Sequence, residues 1–340
     1  MTVKLNKIYC GDALTVLQTF PNESVNCVVT SPPYYGLRNY GTDKQIGLEA
    51  TPEQFLKRLT EVFMECHRVL KKDGTMWIVI GDSYAGSGRG IGDINKKGIQ
   101  QKASYVGEFC KPYRLAGYKN KDLMGIPWAL AFALRDAGWY LRQDIIWHKP
   151  NPMPESIRDR CTKAHEYIFL LTKSAHYYFD HAAMLESAKY DGRKKMTHEG
   201  SAKYLNNAAG ISTQSVSKGG RERWPNKLRG YVTKDGDTGL PAQHHGDNIL
   251  TLPARNKRSV WTIPIRGFKA AHFATFPPDL IRTCINAGCP PDGVVLDPFM
   301  GAGTTAVVAQ ELSRSYVGIE LNSDYVRMAE ERIGCAMKSI

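Results

Sequence analysis

The chain is 340 residues long, 42% hydrophobic and 23% charged, with a formal net charge of +12 and a sequence pI near 9.2. That length suits one large or two modest domains with a real core, and no apolar run reaches the roughly 20 residues of a membrane span. The N-terminal MTVKLNKIYCGDAL lacks the apolar block of a secretory signal, so a soluble cytoplasmic protein is expected. Eight cysteines are scattered without a C-x-x-C pair, which argues against a disulfide framework and against a metal site.

In chain order, KIYC opens as a short strand, and Asp12 is a helix N-cap ahead of ALTVLQTF. SVNCVVTS (24–31) reads as a buried strand. TPEQFLKRLTEVFMECHRVL then opens with a Thr51–Gln54 capping box and Pro52 at the first helical position. Phe55, Leu59, Val62, Phe63, Cys66 and Leu70 recur at helical spacing, KKDG ends the helix, and TMWIVIGD (75–82) follows as a strand. IPWALAFALRDAG predicts a helix, WYLRQDIIWHK and HEYIFLLTKS two strands, and PPDLIRTCINAG another helix. GVVLDPF is a strand, a helix begins near Gly303, SYVGIEL is a strand, and a last helix starts at Ser323. Seven strands alternating with helices predict an α/β fold around a largely parallel sheet.

The positive charge is concentrated. Lys and Arg outnumber Asp and Glu by eight to two in residues 84–121 and by fourteen to seven in 186–260, while the rest of the chain is slightly acidic. Both segments are rich in Gly, Asn, Ser and Gln and lack an apolar period. They read as long loops or a small subdomain inserted into a neutral scaffold, suited either to solvent or to an acidic partner.

Two motifs carry chemistry. In GVVLDPFMGAGTTAVVAQELSRSYVGIELN a glycine turn joins a buried strand to a helix, and Glu320 ends the next strand. Gly301 and Gly303 allow close backbone approach, the helix N-terminus offers free N–H donors, and an acid about 20 residues on suits ribose hydroxyls. With Ala306 the turn also fits a dinucleotide fingerprint, so NAD and S-adenosylmethionine both remain open at this point. TSPPYYGLRNYG (30–41) follows a buried strand and presents a hydroxyl (Ser31), a bare carbonyl (Pro32) and an aromatic face (Tyr34), a pocket for an exocyclic amine.

Together, TSPPY near the start and DPFMGAGTT near the end resemble the amino-methylating DNA methyltransferases of the β arrangement. Residues 122–174 resemble that family's middle, and 258–285 its methionine-side cofactor segment, so the likeness covers nearly the whole chain. It implies an S-adenosylmethionine-dependent, Rossmann-like fold, circularly permuted, with a seven-stranded mixed sheet and an inserted target-recognition region. The expected organisation is a catalytic half at 1–185 with a basic loop at 84–121, a recognition region at 186–257, and a cofactor half at 258–340. By position, Ser31, Pro32, Pro33 and Tyr34 would hold a flipped base. Asp297, Phe299, Gly301, Gly303 and Thr304 would line the methionine side of the cofactor, with Glu320 at the ribose and Asp12 at the adenine amino group. Phe273, Thr275 and Pro277 are further candidates near the methionine end. The basic Lys96, Lys97, Arg221, Arg223, Lys227 and Arg229 would meet double-stranded DNA. A cognate restriction endonuclease and a homodimer are left open.

Within that family Ser at the Ser31 position is typical of cytosine-N4 enzymes, and Asp or Asn is common among adenine-N6 enzymes. Cytosine N4 is therefore the expected target, with adenine N6 as the alternative. Cytosine-C5 chemistry needs a thiolate nucleophile in a Pro-Cys dipeptide, which this chain lacks, since Cys289 precedes Pro290. Rival readings are an NAD-dependent oxidoreductase, which leaves TSPPY unexplained, and methylation of RNA or of a protein glutamine.

Overall fold

The computed structural model describes residues 3–37, 44–85, 117–187, 254–265 and 276–337. The chain divides into two compact units, Met1–Ala183 with Arg258–Ile340, and Met184–Lys257. Lys96, Lys97, Arg221, Arg223, Lys227, Arg229, Phe273 and Thr275 lie outside the described residues.

The larger unit is built on one sheet. Its strands are β1 (Lys7–Cys10), β2 (Val25–Thr30), β3 (Leu70–Ile80), β4 (Tyr140–His148), β5 (His165–Thr172), β8 (Val260–Thr262), β9 (Val294–Asp297) and β10 (Ser315–Glu320). In space the order is β1-β10-β9-β2-β3-β5-β4-β8, parallel throughout except that β5 runs against both β3 and β4. The helices are α1 (Ala13–Leu17), α2 (Pro52–Val69), α3 (Ile126–Asp136), α4 (Pro278–Gly288), α5 (Thr304–Glu311) and α6 (Ser323–Met337). Thr51 caps α2 by accepting the Gln54 N–H at 3.3 Å, with Pro52 at the first helical position. Every apolar residue predicted to face the core from α2 is buried, as is Leu70 at its end. The central β2, paired on both edges and covered on both faces, is a nearly continuous apolar run, as parallel strands at the centre of a sheet are.

Two details differ from the sequence reading. Among the described residues the sheet has eight strands where seven were expected; the addition is β8, whose three residues pair with Ile146–His148 at the edge. Only Trp261 of β8 is buried, so the segment is too short to show a period. The other difference is β3, which starts at Leu70, directly after α2, instead of at Thr75. Val25 pairs with Leu70 and Cys27 with Thr75, so the KKDG predicted to end the helix is an irregularity inside the strand.

The described part of the smaller unit is an antiparallel ribbon of β6 (Leu185–Ser187) and β7 (Ala254–Asn256), crossed by an Arg255–Glu186 ion pair at 2.9 Å. Among the described residues no helix is long and apolar enough to cross a membrane.

Candidate active site

From β9 the chain moves through α5 to β10 on one side of the sheet order, and from β2 through α2 to β3 on the other. The carboxyl ends of β9 and β2 therefore adjoin where the winding reverses, the place where open α/β sheets bind ligands. One buried carboxylate ties this point together. Asp297 Oδ1 accepts the Thr30 hydroxyl at 2.6 Å and the Phe299 N–H at 3.0 Å, and Oδ2 accepts the Thr305 hydroxyl at 2.6 Å. Burial pushes the Asp297 carboxyl up to about 6, against the pull of these three donors.

The glycine turn after β9 folds back on Glu320. Glu320 Oε2 accepts the Gly301 N–H and Oε1 the Asn322 N–H, both at 2.9 Å, and burial is the main reason its carboxyl sits above the usual range. The carboxylate also lines the cavity, where it can accept from a hydroxyl donor. The two glycines do different work. Gly301, at φ +52°, faces open space, where an added Cβ would find nothing nearer than the Phe299 carbonyl oxygen at 4.0 Å. Gly303, at φ +77°, is the N-cap of α5, and a Cβ there would stand 2.9 Å from Ala329 Cβ on α6.

These ends open into a cavity of about 590 Å³, within the range of roughly 300–1,000 Å³ of small-molecule sites. Of the residues singled out in the sequence, Asp12, Ser31, Pro32, Pro33, Tyr34, Phe299, Gly301, Thr304 and Glu320 line it. Asp297 lies behind the wall and holds it, Gly303 packs against α6, and Pro277 caps α4 away from the lining. Asp12 both lines the cavity and caps α1, its Oδ2 accepting the Thr15 N–H at 2.9 Å and the Thr15 hydroxyl at 2.8 Å.

Sequence reasoning missed Trp147, Lys149 and Glu166, which face the same cavity. The Tyr34 hydroxyl donates to Glu166 Oε2 at 2.8 Å, the Lys149 ammonium donates to Oε1, and Lys149 Nζ lies 4.4 Å from the Trp147 ring centre. Trp147 and Glu166 are register partners across β4 and β5. Their only signal was a charge at the end of one apolar strand and another at the start of the next. Among the described residues no cysteine lines the cavity, and Cys289, with its thiol pushed up to about 12 chiefly by burial, offers no thiolate.

The family described as DNA methylase, whose name covers N6 and N4 methylation, matches residues 25–331. The chain belongs to this DNA methylase family. The Type II methyltransferase M.XycI of Xanthomonas campestris pv. cyanopsidis is 44% identical over 96% of this chain and 87% of its own length. M.SmaI of Serratia marcescens, also a Type II methyltransferase, is 41% identical over 96% of this chain and 90% of its own. In fold, this DNA methylase resembles the PvuII DNA methyltransferase, a cytosine-N4-specific enzyme, at TM-score 0.55 and 18% identity, over 99% of this chain and 93% of that one. A Thermus thermophilus protein solved with S-adenosyl-L-methionine matches at TM-score 0.54 and 22% identity, over 98% and 95% of the two chains. Membership of a DNA methylase family leaves the dinucleotide reading of the glycine turn, and with it the oxidoreductase, without support.

Proposed function

We propose that this DNA methylase transfers a methyl group from S-adenosylmethionine to the N4 amine of a cytosine swung out of duplex DNA, directly and without a covalent enzyme intermediate. One observation carries the reading: the Ser31-Pro-Pro-Tyr34 amine pocket and the glycine turn with Glu320 open into one cavity. The choice of cytosine N4 rests on Ser31, and the fold likeness to a cytosine-N4-specific enzyme supports it.

The residues present fit the cofactor. The open space beside Gly301 admits a ligand against bare backbone, and the Glu320 carboxylate on the cavity wall suits ribose hydroxyls. Asp12 would meet the adenine amino group, while Phe299, Gly301 and Thr304 would line the methionine side. The chemistry supplied by bound S-adenosylmethionine is an electrophilic sulfonium methyl. Tyr34 stacks on the extrahelical base, and Ser31 Oγ and the Pro32 carbonyl accept hydrogen bonds from the amine, which aims the nitrogen lone pair at the methyl. Positioning and charge placement supply most of the rate.

In this reading residues 1–185 form the catalytic half, 186–257 the recognition region and 258–340 the cofactor half. Lys96, Lys97, Arg221, Arg223, Lys227 and Arg229 contact the duplex. Tyr34→Ala and Ser31→Ala should keep cofactor affinity by calorimetry yet lose most transfer of label from S-adenosylmethionine to DNA. Wild-type transfer in both variants would end the assignment.

A further inference from the structure

We propose that Arg332 on α6 is a positioning residue: by donating to Thr304 it leaves the Thr304 hydroxyl proton free to be donated to the carboxylate of S-adenosylmethionine. The inference rests on the reading that puts the methionine end of the cofactor at Thr304, and it adds the group that gives that end its polarity.

Thr304 opens α5, lines the cavity and is only 3% exposed. The half-buried Arg332 reaches it from α6, its Nη1 donating to Thr304 Oγ1 at 2.9 Å and to the Ala302 carbonyl at 3.0 Å. A guanidinium has no acceptor, so Thr304 Oγ1 accepts in this contact and keeps its own proton. Among the described residues that proton meets no acceptor, which leaves it for a ligand in the cavity. The guanidinium charge behind Thr304 and the N-terminus of α5, whose first N–H groups lack intrahelical partners, both favour a negative ligand atom there. Of the charged groups on S-adenosylmethionine, the sulfonium and the ammonium are repelled and only the carboxylate fits. The Glu320 carboxylate on the same cavity wall suits the hydroxyl donors of the ribose, so the two side chains sort the donors of the cofactor from its acceptors and fix which way it lies.

The packing of α6 delivers this contact. Ala329 lies three residues before Arg332, on the same face of the helix, and a Cβ on Gly303 would stand 2.9 Å from its Cβ. That close approach seats α6 against the glycine turn and brings the guanidinium within reach of Ala302 and Thr304 together. From the same helix Tyr325 and Met328 line the cavity, whereas Arg332 stays behind the wall and acts through Thr304.

The test is calorimetric binding of two ligands to the full chain: S-adenosylmethionine, and its decarboxylated analogue, which keeps the adenosine, sulfonium and amine and lacks only the carboxylate. Arg332→Met keeps the aliphatic stem and removes the donors, and Thr304→Val keeps the shape and removes the hydroxyl. Each should weaken S-adenosylmethionine about tenfold to a hundredfold, the worth of one hydrogen bond to a charged group, and move the analogue less than about threefold. A merely structural tie between α6 and the turn would weaken both ligands alike, and that result, or unchanged binding in Arg332→Met, would overturn the proposal. Selective loss in Thr304→Val with none in Arg332→Met would also overturn it, while leaving the placement of the methionine end standing; no selective loss in either variant would overturn both. Should Arg332→Met not fold, Arg332→Gln, whose shorter amide is neutral, is judged by the same pair of affinities and the same outcomes.

Discussion

Asp297 is fully buried, accepts three hydrogen bonds, and has its carboxyl pushed from 3.8 up to about 6 by burial. Replacing it with Asn keeps an acceptor for Thr30 and the Phe299 N–H, while the Thr305 hydroxyl turns to accept from the new amide. Below pH 4 the carboxyl is largely protonated in the folded and unfolded chain alike. Between about pH 4 and 6 the unfolded chain has released this proton while the folded protein retains it, so stability contributed here falls as pH rises and is lost once the folded group ionises. Raising this carboxyl from 3.8 to about 6 corresponds to about 3 kcal/mol, of which some 2–3 kcal/mol is expressed between pH 4 and 7. The Asn variant carries no such penalty. Urea unfolding of both proteins without cofactor at pH 4, 5, 6 and 7 should show Asp297→Asn gaining on wild type by about 2–3 kcal/mol across the series. A difference that stays constant with pH would refute the reasoning and show that the three donors, not burial, govern this carboxyl.

The two glycines of the turn should separate stability from binding. Gly303→Ala meets both a left-handed backbone and Ala329, and should cost about 2–5 kcal/mol in chemical denaturation. Gly301→Ala should cost only about 1–2 kcal/mol for its backbone, yet its methyl would stand in the open cradle and weaken S-adenosylmethionine binding at least tenfold by calorimetry. Glu320→Ala should also weaken cofactor binding, and unchanged affinity would remove it from the ribose. Charge reversal of Lys96 with Lys97, or of Arg221 with Arg223, should lower DNA affinity and flatten its dependence on salt while leaving cofactor affinity alone; if neither pair does so, the excess charge serves only solubility.

Much of this fold could be read from the sequence because local signals and global pattern agree. The Thr51 cap, Pro52 and the apolar spacing of α2 all mark one helix, and the apolar runs of β2, β9 and β10 mark buried parallel strands. The candidate site was legible where a motif is contiguous, as in Thr30–Tyr34 and Asp297–Thr304. It was illegible where it depends on register. Lys149 and Glu166 become partners only because β4 and β5 pair antiparallel, which no spacing of the two residues announces. Asp297 could be read as a ligand contact, but its bond to Thr30, 267 positions away, makes it the tie between two strand ends. Strand β8 was missed for a simpler reason, since three residues with one buried side chain carry no period.

The most direct measurement of the central claim is the product itself. DNA incubated with this protein and S-adenosylmethionine, digested to nucleosides and analysed by mass spectrometry, should contain N4-methylcytosine. N6-methyladenine alone would contradict the choice that rests on Ser31, and DNA with no methylated amine would contradict the proposed activity altogether.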